Sequence, residues 1–194
     1  MARQAERSAE TIAAIEAAAR KLFASRGFAA TSIDDIAARA GVAKGAVYHH
    51  FASKEAIFAR LVDALQAELA AELAAAPPKR AADPADVLTD AVLRYLLAAS
   101  EPERRRILLI DGPAVIGWQA WREIDAKYFG AGTRLAVAAL LGPDPAPRAV
   151  EAVAHLVLGA VMEAALVCAT AEDPRKTARD FSAGFRQMLA GLHG

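Results

Sequence analysis

Gly41-Val42-Ala43-Lys44-Gly45-Ala46-Val47-Tyr48-His49-His50-Phe51 is the stretch on which the fold turns. A short helix over Lys44–His50 follows a glycine turn. A second short stretch with apolar residues at helical spacing, Ile33, Ile36, Ala37 and Ala40, precedes that turn. Two short helices joined by a tight glycine turn form the helix-turn-helix pattern. The first helix must support the second at a steep angle, so the turn needs Gly41 and Val42 must pack inward. On the second helix Val47 faces in, with Phe51 behind it. Lys44, Ala46, Tyr48 and His49 face out, and Gly45 lets the backbone come close to a phosphate or sugar. That outward side has donors and an aromatic ring and lacks acids. Such a helix fits the major groove of a duplex.

Outward from this corner the pattern is helical throughout. Thr31 and Ser32 supply hydroxyls for the free amides of the helix start, and Asp34 and Asp35 sit at the positive end of its dipole. Upstream, Ile12, Ile15, Ala19, Leu22 and Phe23 form one apolar stripe, which Gly27 closes. Arg3 and Arg7 read as a disordered terminus ahead of a DNA-reaching arm. Downstream, Ser53 starts a long helix through Ile57, Leu61, Leu65 and Leu69 that Pro77-Pro78 ends. Asp83-Pro84 caps the next, which runs to about Ser100. Pro102 opens a short helix, broken at Gly112-Pro113. Ile107–Ile110 is the best strand candidate, in surroundings that favour helix. Gly130 and Gly132 are candidate interruptions before Gly142-Pro143. Pro147 starts a long helix to about Ala171, and Asp173-Pro174 caps the last, with Phe181, Phe185, Met188, Leu189 and Leu192 on one face. The fold class is all-α.

The 194 residues carry 23 basic and 23 acidic side chains, 55% hydrophobic residues and one cysteine, Cys168. This length supports a real core, disorder is excluded as the main state, and a lone cysteine forms neither an internal disulfide nor a cysteine zinc site. No basic leader with an apolar core opens the chain, so a cytoplasmic location is expected. The charge is uneven. Residues 1–60 hold nine Lys/Arg and six Asp/Glu, a surplus of three, which the remainder offsets. That modest asymmetry is compatible with a nucleic-acid-binding front.

The string Gly41-Val42-x-Lys44-Gly45-x-x-Tyr48-x-His50-Phe51-x-x-Lys54-Glu55, together with Phe23-Ala24-Ser25-Arg26-Gly27-Phe28 and Thr31–Ala37, resembles the TetR family of transcriptional regulators. The resemblance covers about a quarter of the chain. It implies that Ser32, with Thr31 nearby, holds a phosphate, that Lys44, Ala46, Tyr48 and His49 occupy DNA-facing positions, and that Lys54 binds a phosphate. Ala43 departs from the family's frequent Ser/Thr cap, and Ala46 replaces a frequent Thr or Ser, so readout there is apolar. His50 reads first as a residue of the small core. The resemblance further implies residues 1–60 as a three-helix DNA-binding domain, joined by the long fourth helix to a helical ligand-binding and dimerisation domain over 61–194.

Within 61–194, the helix through Ala149–Ala171 is apolar nearly all round, so it must be buried on more than one side. Its length suits a membrane span, but His155 and Glu163 lie inside it, where charge is costly. One face on its own core and one on a second copy is the better account. Leu158, Gly159, Met162, Phe181 and Phe185 are the expected dimer contacts. Tyr95, Trp118, Trp121, His155, Met162 and Glu163 are the pocket candidates, with Tyr128, Phe129 and Cys168 behind them. The two tryptophans read first as core or interface anchors and second as a pocket wall. Glu151 and His155, one turn apart, can simply pair with each other.

The expected function is a homodimeric repressor released from a palindromic operator by a small molecule, with salt-sensitive binding to double-stranded DNA. An activator, or a regulator without a ligand, is the alternative on the same fold. An enzyme with an accessory DNA-binding module is a distant third: no metal, phosphate-binding or nucleophile motif is present. No cofactor, metal or membrane partner is expected. The sequence specifies neither the operator, the regulated genes nor the ligand.

Overall fold

The computed structural model describes residues 2–75 and 83–191. Pro77-Pro78 and Leu192 lie outside the described residues. The helices are α1 (Ala2–Arg26), α2 (Ile33–Ala40), α3 (Lys44–His50), α4 (Lys54–Ala75), α5 (Pro84–Ala99), α6 (Pro102–Arg104), α7 (Gly112–Ile116), α8 (Trp118–Leu141), α9 (Pro147–Thr170) and α10 (Pro174–Ala190). Among the described residues there is no strand.

Three sequence expectations are corrected. The helix of α1 starts at Ala2, so the Arg7 segment is helical rather than disordered, and Thr11 donates its hydroxyl to the Arg7 carbonyl. Arg105–Asp111, which contains the strand candidate, is a π-helical segment that runs straight into α7. Gly112-Pro113 therefore does not break the chain there. Proline at the second position of α7 lacks only a donor that the helix start leaves spare, and the break falls at Gly117. Gly130 and Gly132 lie inside an unbroken α8. A glycine inside a helix weakens it by only about 1 kcal/mol, too little to stop 24 residues.

The chain forms two compact units, Met1–Leu65 with Pro102–Trp121, and Gln66–Glu101 with Arg122–Gly194. The first is built on α1, α2 and α3, the start of α4, and α6 through α7. Its core holds Ile15, Leu22, Phe23, Ile36, Val47 and Phe58, all under 5% exposed. Phe23, Phe28 and Phe58 meet at centroid distances of 5.1–5.6 Å, two of the three contacts edge to face. Residues far along the chain complete this unit. Arg20 forms a two-pronged bond with Glu103, the nearer contact 2.7 Å, which holds the Glu103 carboxyl below its usual range. The Asp111 carboxylate accepts from the Phe28 N–H at 2.8 Å and from Arg106 Nε at 3.1 Å. Trp121 is fully buried here, its ring against Gly112.

The second unit packs α5 against α10 and α9. Leu88, Val92, Leu96, Ala164, Ala165, Cys168, Phe185 and Leu189 make its core. Asp83 caps α5 and Asp173 caps α10, each through its carboxylate, as the Asp-Pro pairs signalled. Arg186 ties α10 back to the start of α5 through Asp83 and Asp86.

Candidate functional site

The corner that presents α3 is closed by local chemistry. Ser32 Oγ accepts from the Asp35 N–H, and the Asp35 carboxylate accepts in return from the Ser32 N–H and hydroxyl, a reciprocal capping box. These bonds hold the Asp35 carboxyl below its usual range. Gly41, at φ 70°, ends α2 and turns its N–H back to the Ala37 and Ala38 carbonyls. A side chain there would resist the left-handed backbone. Ala43 starts α3 with no side-chain cap, as expected of an alanine at that position.

Within α3, Val47 is fully buried, whereas Lys44, Gly45, Tyr48 and His49 are exposed and Ala46 is half-buried. Tyr48 is 52% exposed, its ring open to solvent. The His49 and His50 rings lie edge to face at 4.9 Å, with His50 half-buried. Lys44 Nζ donates to Asp34 at 2.9 Å, and that bond raises its pKa. Both partners are largely solvated, so the pairing is readily exchanged.

Two other expected contacts look inward. Thr31 is 1% exposed, and its hydroxyl donates to the Gly27 carbonyl at 2.9 Å. Lys54 Nζ donates to the carbonyls of Phe28 at 2.8 Å and Thr31 at 2.7 Å, and stands 4.0 Å from the Phe28 ring centre. Both side chains bind the α1–α2 loop together. Sequence spacing places them near the helix ends without revealing that loop as their partner.

The second unit holds a half-open cavity of about 320 Å³. Leu73, Val92, Val157 and Val161 give it apolar walls, and Tyr95, Asp125, Tyr128, Phe129 and Thr133 add rings and polar groups. Tyr95 and Phe129 meet edge to face at 5.2 Å. Asp125 is only 3% exposed. Tyr95 donates its hydroxyl, and Gln66 its amide N–H, to the same Asp125 oxygen, each at 3.3 Å. Gln66 Oε1 is buried without a partner. Burial pushes the Asp125 carboxyl up to about 6, against the Tyr95 and Gln66 hydrogen bonds and the nearby Arg122 charge. Burial and the adjacent carboxyl raise the Tyr95 hydroxyl well above its usual range.

Of the pocket candidates, Tyr95 lines this cavity, as do Tyr128 and Phe129. Trp118 and Trp121 do not line it; they stack on each other at 5.3 Å in the first unit. His155 is exposed and pairs with Glu151 at 3.6 Å. Met162 is buried, and Glu163 is exposed beside a second groove shared with Phe181, Gly184 and Met188. Of the expected interface residues, Met162 and Phe185 pack inside this protomer, whereas Leu158, Gly159 and Phe181 are half-buried. The large apolar side chains left open on α9 and α10 are Leu156 (72% exposed), Val167 and Met188. By length and composition α9 could cross a membrane, but Glu151, His155 and Glu163 stand exposed along it. Burial raises the pKa of the Cys168 thiol, which keeps it protonated and inert. Among the described residues no group of three or more metal-binding side chains is found. Sequence reasoning missed Gln66 and Asp125, because each sits singly in an unremarkable helix.

Residues 15–61 match the bacterial regulatory proteins of the tetR family, and residues 85–192 match the tetracyclin repressor-like C-terminal domain. The chain belongs to the TetR family. That family and the curated relatives the chain matches are helix-turn-helix transcriptional regulators. The chain is 33% identical to the HTH-type transcriptional regulator AcrR of Shigella flexneri over 110 residues, 56% of this chain and 51% of the relative. To the HTH-type transcriptional repressor Rv3405c of Mycobacterium tuberculosis it is 42% identical over 86 residues, 44% and 43% of the two chains. The chain thus spans about half the length of these curated relatives. A TetR-family regulator from Pectobacterium atrosepticum has the same fold at a TM-score of 0.78, with 32% identity and 96% of both chains covered. RolR in complex with resorcinol shares the fold at a TM-score of 0.72 and 18% identity, over 97% of this chain and 93% of that one.

Proposed function

We propose that this TetR-family regulator is a cytoplasmic homodimeric repressor that grips a palindromic operator through α3 and leaves it when a small molecule fills the cavity of the second unit. In this reading residues 1–60 are the DNA-binding module and residues 61–194 bind ligand and the second copy. The observation that carries it is the exposed side of α3. Lys44, Gly45, Tyr48 and His49 stand open to solvent while Val47 alone anchors the helix. Lys44 exchanges Asp34 for a DNA phosphate, Ser32 offers its hydroxyl at the start of α2, and Ala46 makes an apolar contact with a base. Thr31 and Lys54 act by holding the loop that presents α2.

One short helix reads few base pairs, so mechanism calls for two copies, with half-sites about 34–36 Å apart or a multiple of it. Leu156, Val167 and Met188 supply an apolar face for that pairing, with Leu158, Gly159 and Phe181 at its margin. Repression is favoured over activation by the repressor among the relatives.

Replacing Lys44 and Tyr48 together with alanine abolishes retention of the operator fragment recovered by genomic DNA capture, with the circular-dichroism melt nearly unchanged. Specific retention by the double variant would refute the reading. Leu156→Glu yields monomers in sedimentation; an intact dimer would place the interface elsewhere.

A further inference from the structure

The second unit holds a buried acid with no ion pair among the described residues, although the Arg122 charge acts on it more weakly than its burial and its two hydrogen bonds. Asp125 lines the cavity at 3% exposure. Its two hydrogen bonds are long, come from neutral groups, and converge on Oδ1. Among the described residues none bonds to Oδ2, and no ammonium or guanidinium forms an ion pair with the carboxylate. Arg94 also borders the cavity, but it is engaged by Asp90 at 2.9 Å and by the Leu73 carbonyl at 3.0 Å. A buried carboxylate is expensive unless paired and fully hydrogen-bonded. Filling the site with an apolar side chain would be cheaper, so the natural occupant is one that brings the missing positive charge. Gln66 Oε1, buried and lacking a donor on the side chain that bonds to Asp125, adds to the same local excess of acceptors. The walls are apolar and aromatic, and the volume, about 320 Å³, suits a compact molecule with one ring.

We propose that this cavity takes a small amine, its ammonium bonded to Oδ2 of Asp125 and its apolar body against Tyr95, Tyr128 and Phe129. The inference rests on the reading that the second unit binds a ligand, and gives that ligand a chemical class. Arylalkyl amines fit the walls best, since rings of the ligand meet the faces and edges of three protein rings. Anions are rejected by the Asp125 charge. Neutral alcohols can bond to Oδ2 but bring no charge.

The test uses the full-length protein and three probes of nearly equal shape: 2-phenylethylamine as its cation, 2-phenylethanol and phenylacetate. Isothermal titration at neutral pH should rank the amine about ten- to a hundredfold tighter than the alcohol, the range for a charge-assisted bond over a neutral one, with phenylacetate unbound. In Asp125→Asn, checked for folding by circular dichroism, the preference for the amine should vanish. Equal or tighter binding of the alcohol or of phenylacetate to the natural protein overturns the proposal without any variant. So does an amine preference that survives in Asp125→Asn, or no amine binding up to its solubility limit. Capture of genomic DNA by the probe-free protein is scored separately. Its failure would sink the regulator reading while leaving the ranking of the three probes intact.

Discussion

The helix-turn-helix corner and the wall of the second unit's cavity treat their polar groups in opposite ways. At the corner the capping box and the loop carbonyls have close partners, three residues apart for Ser32 and Asp35 and 23 and 26 residues away for Lys54. Ser32 and Asp35 satisfy one another across three residues, and Lys54 closes two loop carbonyls at 2.7 and 2.8 Å. In the cavity wall Gln66, Tyr95 and Asp125 come from three distant helices, meet at 3.3 Å, and leave one carboxylate oxygen and one amide oxygen unbonded. The first arrangement stabilises a surface that must keep its shape. The second stores an unfavourable charge that a bound cation would relieve.

The sharpest way to break this contrast is Asp125→Asn. The folded-state pKa of about 6 lies above the usual 3.8, so the folded protein holds the proton more tightly. Asp125 therefore costs nothing below pH 3.8, costs more as pH rises toward 6, and costs a constant amount above it. At 1.36 kcal/mol per pH unit that gap is about 3 kcal/mol. The asparagine variant should be more stable than the natural protein by about 1–3 kcal/mol at pH 8, with the advantage fading by pH 4. Urea titrations at both pH values measure it. A variant less stable at pH 8 would show the carboxylate to be structurally compensated.

Lys54→Met should cost about 2 kcal/mol, since two loop carbonyls lose a charged donor while the stem is kept. Lys44→Ala should leave the melt nearly unchanged, because its pair with Asp34 is solvated. Thermal melts of the two variants, side by side, separate the lysine that holds the corner from the one held only by a solvated pair. The smallest effect expected to be measurable belongs to Ser32→Ala. It removes one half of the capping box and should cost about 1 kcal/mol in the same melts.

The same contrast explains what the sequence disclosed. Helix boundaries at Ser32, Gly41, Asp83-Pro84 and Asp173-Pro174 were legible because a cap is a bond between near neighbours. The outward side of α3 was legible because Val47 is the one large aliphatic residue in Lys44–His50. Family resemblance supplied roles for Thr31 and Lys54 but not their inward bonds, which depend on where the Gly27–Thr31 loop runs. The π-helical stretch escaped notice because its widened turns leave no signature in Ile107–Ile110. Asp125 escaped for a more general reason. Its neighbours in sequence are Ile124 and Ala126, and its burial is set by helices 30 and 59 residues away. Trp118 and Trp121 drew attention by size, yet size speaks for burial or stacking and not for ligand contact.

The Asp111 carboxylate, gripping the Phe28 amide from 83 residues downstream and Arg106 from five, carries a practical lesson about interchangeable parts. An amino-terminal piece cut after the third helix would lose that clasp, the Arg20–Glu103 tie and the indole of Trp121. Chimaeras that graft this head onto another regulator's body should therefore transplant Pro102–Trp121 along with it, since the working cassette is assembled from two separate lengths of polypeptide.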